Sequence, residues 1–342
     1  MKALYHHLLS EAQASAQSTP GKERPEPLFD RISWFAALHR LCLPRTQPLI
    51  AHVRDGSSDL WMFLTKSRSG HADALANWYS FHFRPLFSDA MTEVGKLALL
   101  GELARTIPHQ AHSLVLSPLP DEDHSTTLIE RAFLQAGWVV FRQQSDVNHI
   151  LQIKGRTFDS YWQERPGALR NTVKRKTKKS RVAIRIEREF VEECWDDYCR
   201  VYAKSWKPEE GSPDFLEWLA RNEADAGALR LGLAYLDGEP VAAQLWTLDN
   251  RTALIHKLAH DEAVLKESAG TLLSAAMFQH VIDIDGVDMI DFGTGDDGYK
   301  RDWMETVRPR YRLEMYWPNN PMTWPAIAKR GISVLVARTR SS

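Results

Sequence analysis

A chain of 342 residues is longer than one ordinary compact core, so two domains are expected. The net charge of −1 at pH 7 excludes a global positive field that would attract nucleic acid. The sequence contains no apolar run of about 18 residues, so we expect no membrane-spanning segment. Three cysteines without a CxxC pair indicate reduced thiols and a cytoplasmic protein.

The first third of the sequence predicts a flexible N-terminal arm at residues 1–27, followed by short strands alternating with helices. An Asp55-Gly56 turn between two apolar runs predicts a β-hairpin. Helical apolar spacing follows at 92–106 and 125–136, and strands are predicted at 138–142 and 148–153.

An aromatic run at residues 77–87 alternates with period two, which predicts a strand. Tyr79, Phe81 and Phe83 would then share one face. The run fits either a core strand or a platform for a sugar or an acyl chain. In the second case, Trp78 and Tyr79 are candidate substrate-binding residues.

Residues 155–188 differ in composition from the rest of the chain. From Arg165 to Arg185, both included, there are nine Lys or Arg residues and no acid. A helix over 170–181 would carry this charge either as a solvated face or toward an anionic partner. Such a partner is CoA phosphate, a sugar phosphate, anionic lipid or nucleic acid. Arg170 and Lys174 are the candidate substrate-binding residues of this helix.

The second half of the sequence predicts a regular series of elements. These are helices at 190–205 and 214–221, a hairpin with Asp237-Gly238 at its corner, a strand at 252–259, a helix at 270–284 and a closing strand at 311–317.

The stretch from Met289 to Trp303 indicates a site. A short apolar run ends in Asp291, a glycine-rich turn with clustered acids follows, and Tyr299-Lys300 opens a helix. A strand that delivers polar groups at its carboxyl end is typical of ligand sites in α/β sheets. A strand, a turn and a surface helix without a ligand are the alternative.

The start of the helix near residue 270 predicts an anion site. Ser268, Ala269, Gly270 and Thr271 are small, so free N–H groups at the helix start can reach a phosphate. Lys266 would add a positive charge, whereas Glu267 would oppose a phosphate unless it points away. A serine-capped helix without a ligand is the alternative.

The order of elements from about residue 190 resembles the GNAT acyltransferase superfamily, whose members transfer acyl groups from a thioester such as acyl-CoA. The basic segment from Leu169 to Lys176 resembles a helix of the Fem peptidoglycan aminoacyltransferases, which are tandem GNAT proteins. Tyr299-Lys300 with Trp303 is similar to their Phe-Lys-x-x-Phe element. The segment from Gly238 to Trp246 is similar to the hairpin of the branch that includes the CelD proteins of cellulose biosynthesis.

The resemblance implies an α/β fold with a mixed sheet and tandem GNAT-like domains in the Fem-type architecture. We expect a degenerate GNAT-like domain at 28–154 and a GNAT acyltransferase domain at 189–318. The basic helix and a strand connect them at 155–188, and residues 319–342 form a basic tail.

The resemblance also implies N-acyl transfer from acyl-CoA, or another thioester, to an amine of a cell-envelope precursor. The acceptor is either an amino sugar of an exopolysaccharide pathway or a long-chain lipid base, as in ceramide synthesis. CoA is then a co-substrate, contact with an anionic membrane is peripheral, and nucleic acid is not an expected partner. The alternatives are tRNA-dependent aminoacyl transfer to a peptidoglycan precursor and a non-catalytic adaptor for anionic surfaces.

Acyl transfer to an amine requires a proton acceptor for the amine and a proton donor for the departing thiolate. Asp291 and His256 are the candidate acceptors. Tyr299 stands where many GNAT enzymes keep the tyrosine that protonates the thiolate, and a backbone N–H at residues 258–260 would polarise the carbonyl. His256 and His260 lie on a strand and its exit, so no metal is expected. We further predict substrate contacts from Gln244, Trp246, Lys257 and Lys300.

Overall fold

The computed structural model describes residues 1–17, 26–88, 91–179 and 181–340. The chain divides into two compact units: unit 1 comprises Met1–Asp146 and Pro309–Ser342, and unit 2 comprises Val147–Arg308. Each unit combines a sheet with helices, and the predicted mixed α/β fold is confirmed. Within the described residues, no helix is long and apolar enough to cross a bilayer.

The first stretch of unit 1 precedes unit 2 in the chain. Its strands are β1 (Lys2–His6), β2 (Gln47–Asp55), β3 (Ser58–Lys66), β4 (His71–Ala74), β5 (Leu86–Phe87) and β6 (Ser113–Leu119). Its helices are α1 (Leu9–Gln17), α2 (Ile32–Cys42), α3 (Glu93–Thr106) and α4 (Ser125–Gln135). Strand β7 (Val139–Gln152) then carries the chain into unit 2 as one strand where the sequence predicts two.

Unit 2 follows, and the chain then returns to unit 1. The strands of unit 2 are β8 (Val182–Glu187), β9 (Leu229–Leu236), β10 (Glu239–Asp249), β11 (Thr252–His260) and β12 (Met289–Thr294). Its helices are α5 (Phe158–Gln163), α6 (Gly167–Lys179), α7 (Glu192–Ala203), α8 (Pro213–Asp225), α9 (Ala269–Gln279) and α10 (Lys300–Trp303). Strand β13 (Thr306–Tyr316) leads back to unit 1, which ends in α11 (Trp324–Arg340).

The sheet of unit 1 has the strand order β1-β2-β3-β4-β6-β13, with β4 and β6 parallel. Strand β1 pairs with β2 from Lys2↔Arg54 to His6↔Ile50, so this part of the predicted flexible arm is an ordered strand. The correction has a physical reason: β1 satisfies the backbone groups along the outer side of β2. The remainder of the predicted arm includes residues 18–25, which lie outside the described residues.

The aromatic run of unit 1 is a turn and irregular backbone, and only Leu86–Phe87 is a strand. The predicted strand is therefore wrong, although Tyr79, Phe81 and Phe83, the residues predicted to share one face, are all buried. The backbone is instead held by an Asx turn, in which the Tyr79 N–H donates to Asn77 Oδ1 at 2.9 Å.

The sheet of unit 2 has the order β7-β12-β11-β10-β9-β8, and β11 and β12 are its parallel pair. The predicted β9–β10 hairpin is confirmed. Asp237 and Gly238 both have positive φ, +53° and +88°, as a type I′ turn requires. Helix α9 packs closely on β9 because Gly232 has no side chain: a Cβ there would lie 2.6 Å from Met277 Sδ.

Candidate active site

Strands β11 and β12 separate near the middle of the unit 2 sheet. They pair over three residues, Thr252–Leu254 with Met289–Asp291, and no further pairing between them follows in the described chain. Strand β11 also bulges against β10: Leu245 pairs with Lys257 and Trp246 with Ile255, which leaves His256 as the extra residue. The carboxyl ends of the two strands therefore open a cleft.

A cavity of about 360 Å³ lies at this cleft, a size typical of small-molecule sites. Its walls come from the end of β11 (residues 258–260), the start of α9 (residues 268–271), Phe292 of β12, and the turn that carries Tyr299. The predicted site around the carboxyl ends of these strands thus coincides with a real cavity in unit 2.

The N-terminus of α9 opens into the cavity without a side-chain cap. Ser268 precedes the helix at φ +55°, and its hydroxyl makes no capping hydrogen bond. The first N–H groups of a helix lack intrahelical partners, so those of α9 are available to an anion in the cavity. Ser268, Ala269, Gly270 and Thr271 all line it, as the anion-site prediction requires.

Contacts around the start of α9 show where the two charged residues before it, Lys266 and Glu267, lie. The Glu267 carboxylate lies 3.7 Å from Lys176 Nζ of α6, and the same ammonium donates to the Lys266 carbonyl. Glu267 is therefore held toward α6. Lys266 is not among the cavity-lining residues, so its predicted phosphate contact has no geometric support here.

Gln244 connects β10 to the first turns of α9. Its Nε2 donates to Ser274 Oγ at 2.7 Å, and its Oε1 accepts from Trp246 Nε1 at 3.0 Å. Gln244 lines the cavity, whereas Trp246 is fully buried in the core beneath it. The structure therefore places Gln244 within reach of a ligand and gives Trp246 a packing position.

Tyr299 lines the cavity from the turn before α10. Its ring meets that of Phe292 edge-on at 5.8 Å, the side chain is 41% exposed, and its hydroxyl has no hydrogen-bond partner among the described residues. Desolvation, with a smaller effect from Asp297, raises the pKa of Tyr299 above its ordinary value. The phenol is therefore protonated at neutral pH and can donate to a ligand atom.

Asp291 is buried and already bonded. Its Oδ1 accepts from Asn148 Nδ2 at 2.6 Å and from the Gly293 N–H at 2.8 Å, and its Oδ2 lies 3.0 Å from Arg308. Asp291 is not among the cavity-lining residues. The structure makes it an anchor of the turn after β12, and its predicted role as a proton acceptor has no contact to support it.

His256 is also outside the cavity lining. Its Nε2 lies 2.8 Å from Thr247 Oγ1 on β10. Desolvation, with a smaller effect from Lys257, lowers the pKa of His256 to about 3. An imidazole this weakly basic is poorly matched to proton abstraction near neutral pH. The sequence could not reveal this, because the bulge that turns His256 toward Thr247 depends on the pairing of β10 and β11.

His260 lines the cavity, whereas its side chain had been a candidate from the sequence only for a metal, which its place on a strand argued against. Its ring centroid lies 4.3 Å from that of Trp206, which also lines the cavity. A Cβ on Gly270 would lie 3.3 Å from His260 Nδ1. Desolvation is the main cause that lowers the pKa of His260, so the imidazole is neutral at pH 7 and can accept a proton. Because His260 is the last residue of β11, its position in the sequence could have indicated that it lines the cavity.

Lys257 and Lys300 have partners within the protein. Lys257 Nζ pairs with Glu210 at 2.7 Å. Lys300 is buried, and its ammonium donates to the carbonyl oxygens of Thr294 at 2.5 Å and Gly295 at 3.1 Å. Neither residue is among those lining the cavity, so both predicted substrate contacts remain without a geometric basis.

Helix α6 presents its basic side chains on one side and its apolar ones to the core. Leu169 and Val173 pack on the core of unit 2, and Leu169 also lines the cavity. Arg170 Nε donates to the Arg165 carbonyl at 3.0 Å. A second, open groove of about 510 Å³ is lined by polar and basic side chains, namely Asn171, Thr172, Lys174, Arg175 and Lys178.

The groove on α6 leads to a prediction about anionic partners. Lys174, Arg175 and Lys178 form no ion pair with any residue that the structure describes. We expect the triple change of Lys174, Arg175 and Lys178 to Gln to weaken binding to anionic phospholipid vesicles, with the largest loss at low salt because added salt screens exposed charges. Vesicle sedimentation at several salt concentrations measures this.

The matched control for that change removes the same charge elsewhere in unit 2. Arg200, Lys204 and Arg221 lie on or beside α7 and α8, and each forms an ion pair with an Asp or Glu side chain. Their change to Gln should leave vesicle binding largely intact. If both triple variants lose binding equally, net charge rather than the α6 groove is responsible.

The two aromatic candidates of the first half, Trp78 and Tyr79, lie in unit 1. Trp78 is 63% exposed and Tyr79 is buried. Their predicted contacts with a sugar or an acyl chain stay predictions.

Known proteins resemble this chain in sequence and in fold. Residues 167–301 match the family model of the acetyltransferase (GNAT) domain, a segment that includes the start of α9, His260 and Tyr299. This segment is a GNAT domain. The sequence matches no curated protein at a significant level.

Solved structures show that the fold extends beyond the GNAT domain. FemX is 12% identical with a TM-score of 0.63, over 95% of this chain and 99% of that chain. L-PGS from Bacillus licheniformis is 12% identical with a TM-score of 0.53, over 92% and 99%. The C-terminal domain of a proposed lysylphosphatidylglycerol synthetase from Agrobacterium fabrum is 12% identical with a TM-score of 0.53, over 88% and 91%. The chain therefore has a Fem-like fold around its GNAT domain.

Proposed function

We propose that this protein is an N-acyltransferase that takes an acyl group from acyl-CoA, or from another thioester, and passes it to an amine of a cell-envelope precursor. The observation that carries the proposal is the uncapped N-terminus of α9, which opens into a cavity that Tyr299 also lines. An anion site and a proton donor beside one cavity meet two needs of a CoA-dependent acyl transfer. The match of residues 167–301 to the GNAT domain supports it.

In this proposal, the start of α9 binds the pyrophosphate of CoA. The N–H groups of residues 269–271 and the positive end of the helix dipole attract phosphate, and no side-chain cap competes with it. The Glu267 carboxylate lies 3.7 Å from Lys176 Nζ, which offsets its negative charge beside the helix start. Gln244, which lines the same cavity, is a further polar group available to the donor.

The chemical step forms an amide bond and breaks a thioester bond. The amine loses one proton, and the departing thiolate gains one. Tyr299 is the proton donor in this proposal, because its phenol is protonated at neutral pH and the residue lines the cavity. His260 replaces Asp291 and His256 as the proton acceptor, because among these three it alone lines the cavity. The backbone of residues 258–260, which β12 leaves unpaired, lies where it can polarise the carbonyl.

The acceptor class follows from the resemblance in sequence and from the basic groove on α6. The sequence resembles envelope-directed acyltransferases, and we propose an amino sugar or a long-chain lipid base as the acceptor. The basic groove of α6 supports a peripheral contact with an anionic membrane surface at the cytoplasmic face.

Aminoacyl transfer from charged tRNA is the second candidate. It is favoured by the Fem-like fold and by the likeness to the proposed lysylphosphatidylglycerol synthetase domain. It differs from the first candidate in its donor, so donor binding separates the two. Calorimetry with CoA, acetyl-CoA, a long-chain acyl-CoA and charged tRNA shows which donor the protein binds.

The donor site is tested by changing Gly270 to Asp. This places a carboxylate at the start of α9, where it repels phosphate and crowds His260. We expect CoA to bind about 5–150-fold more weakly, the equivalent of roughly 1–3 kcal/mol for lost hydrogen bonds to a charged group. Calorimetric titration with CoA measures the change.

Gly167→Asp is the matched control. Gly167 is the first residue of α6, and a Cβ there meets nothing within 4 Å. It adds the same charge at another helix start and should leave CoA binding unchanged. CoA binding that is equal in Gly270→Asp and the parent protein would place the donor elsewhere.

A further inference from the structure

The cavity of unit 2 has acidic side chains in its wall but no basic ones. Of the described residues that line it, none is Lys or Arg, and the two acids are Asp261 and Asp302. Much of the remaining wall is apolar and includes Leu169, Val264 and Leu265. An apolar cavity with a carboxylate in its wall favours a cation that also carries hydrocarbon.

Asp261 is already occupied by contacts within the protein. Its Oδ1 accepts a hydrogen bond from the Ala263 N–H at 2.8 Å, and its Oδ2 lies 3.8 Å from Lys204 Nζ. Both carboxylate oxygens therefore hold the chain where it leaves β11. Asp302 is left as the acid of the cavity wall whose charge can serve a ligand.

Asp302 makes no such contacts. Its side chain is exposed and forms neither an ion pair nor a hydrogen bond with any residue that the structure describes. The two basic residues before it are bonded elsewhere. Arg301 donates to both carboxylate oxygens of Asp296, at 2.8 and 2.9 Å, and the Lys300 ammonium donates to backbone carbonyls. The negative charge of Asp302 is therefore not neutralised by its neighbours on α10.

Asp302 lies one helical turn after Tyr299. Its N–H donates to the Tyr299 carbonyl at 3.2 Å, and residues three apart in a helical turn lie on the same side. Both residues line the cavity. A group bound at Asp302 is therefore held beside the residue that we propose as the proton donor, whereas the start of α9 forms a different part of the wall.

We infer that Asp302 binds the ammonium group of the acceptor. The inference rests on the proposed function for the amine's role as acceptor, but the ammonium subsite itself does not. Charge then directs the two substrates to different walls, because the start of α9 attracts phosphate while Asp302 repels phosphate and attracts an amine. The ion pair holds the nitrogen until His260 takes one of its protons. The ammonium belongs to an amino sugar or to a long-chain lipid base.

Binding in the cavity is measured by the NMR signal of a residue in its wall. Leucine methyl groups are ¹³C-labelled, and the signal of Leu265, which lines the cavity and is 55% exposed, is assigned by its loss in Leu265→Met. The probes are hexylammonium, its neutral analogue hexanol, and glucosamine at a pH at which its amine is protonated. Each is titrated into the parent protein and into the variants Asp302→Asn and Asp302→Glu. Asp159→Asn is the matched control, because Asp159 is an exposed acid on α5 that does not line the cavity.

We expect hexylammonium to shift the Leu265 signal saturably and Asp302→Asn to weaken its binding about tenfold or more, as for the loss of a hydrogen bond to a charged group. Asp302→Glu should restore part of the affinity, and Asp159→Asn should keep all of it. Hexanol should bind the parent and Asp302→Asn equally, which shows that the cavity is intact. Added salt should weaken hexylammonium binding more in the parent than in Asp302→Asn.

Two results overturn the subsite: equal hexylammonium affinity in the parent and Asp302→Asn, or a protein that binds neither amine. An equal loss of hexylammonium and hexanol in Asp302→Asn also overturns it, because the cavity rather than the charge is then changed. Tighter Asp302-dependent binding of hexylammonium than of glucosamine supports the subsite with a lipid base as the acceptor, and the reverse order supports it with an amino sugar.

The outcome is separable from that of the proposed function. CoA titration of Asp302→Asn should give at least the parental affinity, because the change removes a negative charge. If CoA fails to bind the parent protein while hexylammonium binding still depends on Asp302, the donor assignment fails and the subsite stands. If CoA binds as proposed while Asp302→Asn leaves hexylammonium binding unchanged, the donor assignment stands and the subsite is wrong.

Discussion

Changing Tyr299 to Phe is expected to lower the turnover rate roughly 10²–10⁴-fold, the usual contribution of a positioned proton donor. The change keeps the ring and its contact with Phe292 and deletes only the hydroxyl. CoA affinity should stay close to that of the parent, because the phenol acts on the thiolate as it forms rather than on the bound donor. Release of free CoA thiol during turnover, together with CoA calorimetry, measures both quantities.

Tyr235→Phe is the control for this prediction. Tyr235 lies on β9 in the same unit, and its hydroxyl donates to Asp197 at 2.7 Å. Its loss removes a phenolic hydroxyl without touching the cavity, so turnover should be nearly unchanged. A Tyr299→Phe protein with parental turnover would exclude Tyr299 as the proton donor and leave it as a packing residue.

Changing Asp291 to Ala is expected to lower the free energy of unfolding by about 3–5 kcal/mol, the usual effect of removing one partner of a buried ion pair. The change removes the carboxylate that accepts hydrogen bonds from Arg308, Asn148 and the Gly293 N–H. Urea denaturation of the two proteins measures the difference.

Asp288→Ala supplies the comparison. Asp288 pairs with Arg251 just before β12, and both side chains are more than half exposed, so water replaces the lost contact and stability should change little. The isosteric Asp291→Asn variant separates anchoring from chemistry. If it folds with parental stability yet loses turnover, Asp291 is catalytic and the anchor assignment is wrong.

The parts of the structure that follow local rules could be predicted from the sequence. The Asp237-Gly238 turn requires two residues that accept positive φ, and the sequence provides them. The small residues at 268–271 likewise predict an open helix start, because the requirement concerns only adjacent side chains. The position of Tyr299 at the cavity followed from its place after a strand and a glycine-rich turn, and its role as proton donor stays a prediction.

The assignments that failed depend on contacts between distant parts of the chain. Asp291 looks like a free acid at a strand end, yet Asn148, its partner through Oδ1, is 143 residues away in sequence. The bulge at His256 exists only in the register between β10 and β11. The aromatic run shows the same limit: alternation grouped three side chains that are all buried, but a strand also needs a neighbour along its whole length.

The pairing of β6 has a consequence for biosynthesis. Strand β6 pairs with β4 on one side and with residues 311–316 of β13 on the other. Because a ribosome makes the chain from its N-terminus, β6 lacks this second partner until residues 311–316 have been translated, and all of unit 2 is made before that point. The nascent protein therefore exposes an unpaired strand edge that attracts other chains. Truncation before β13 should cause aggregation during expression.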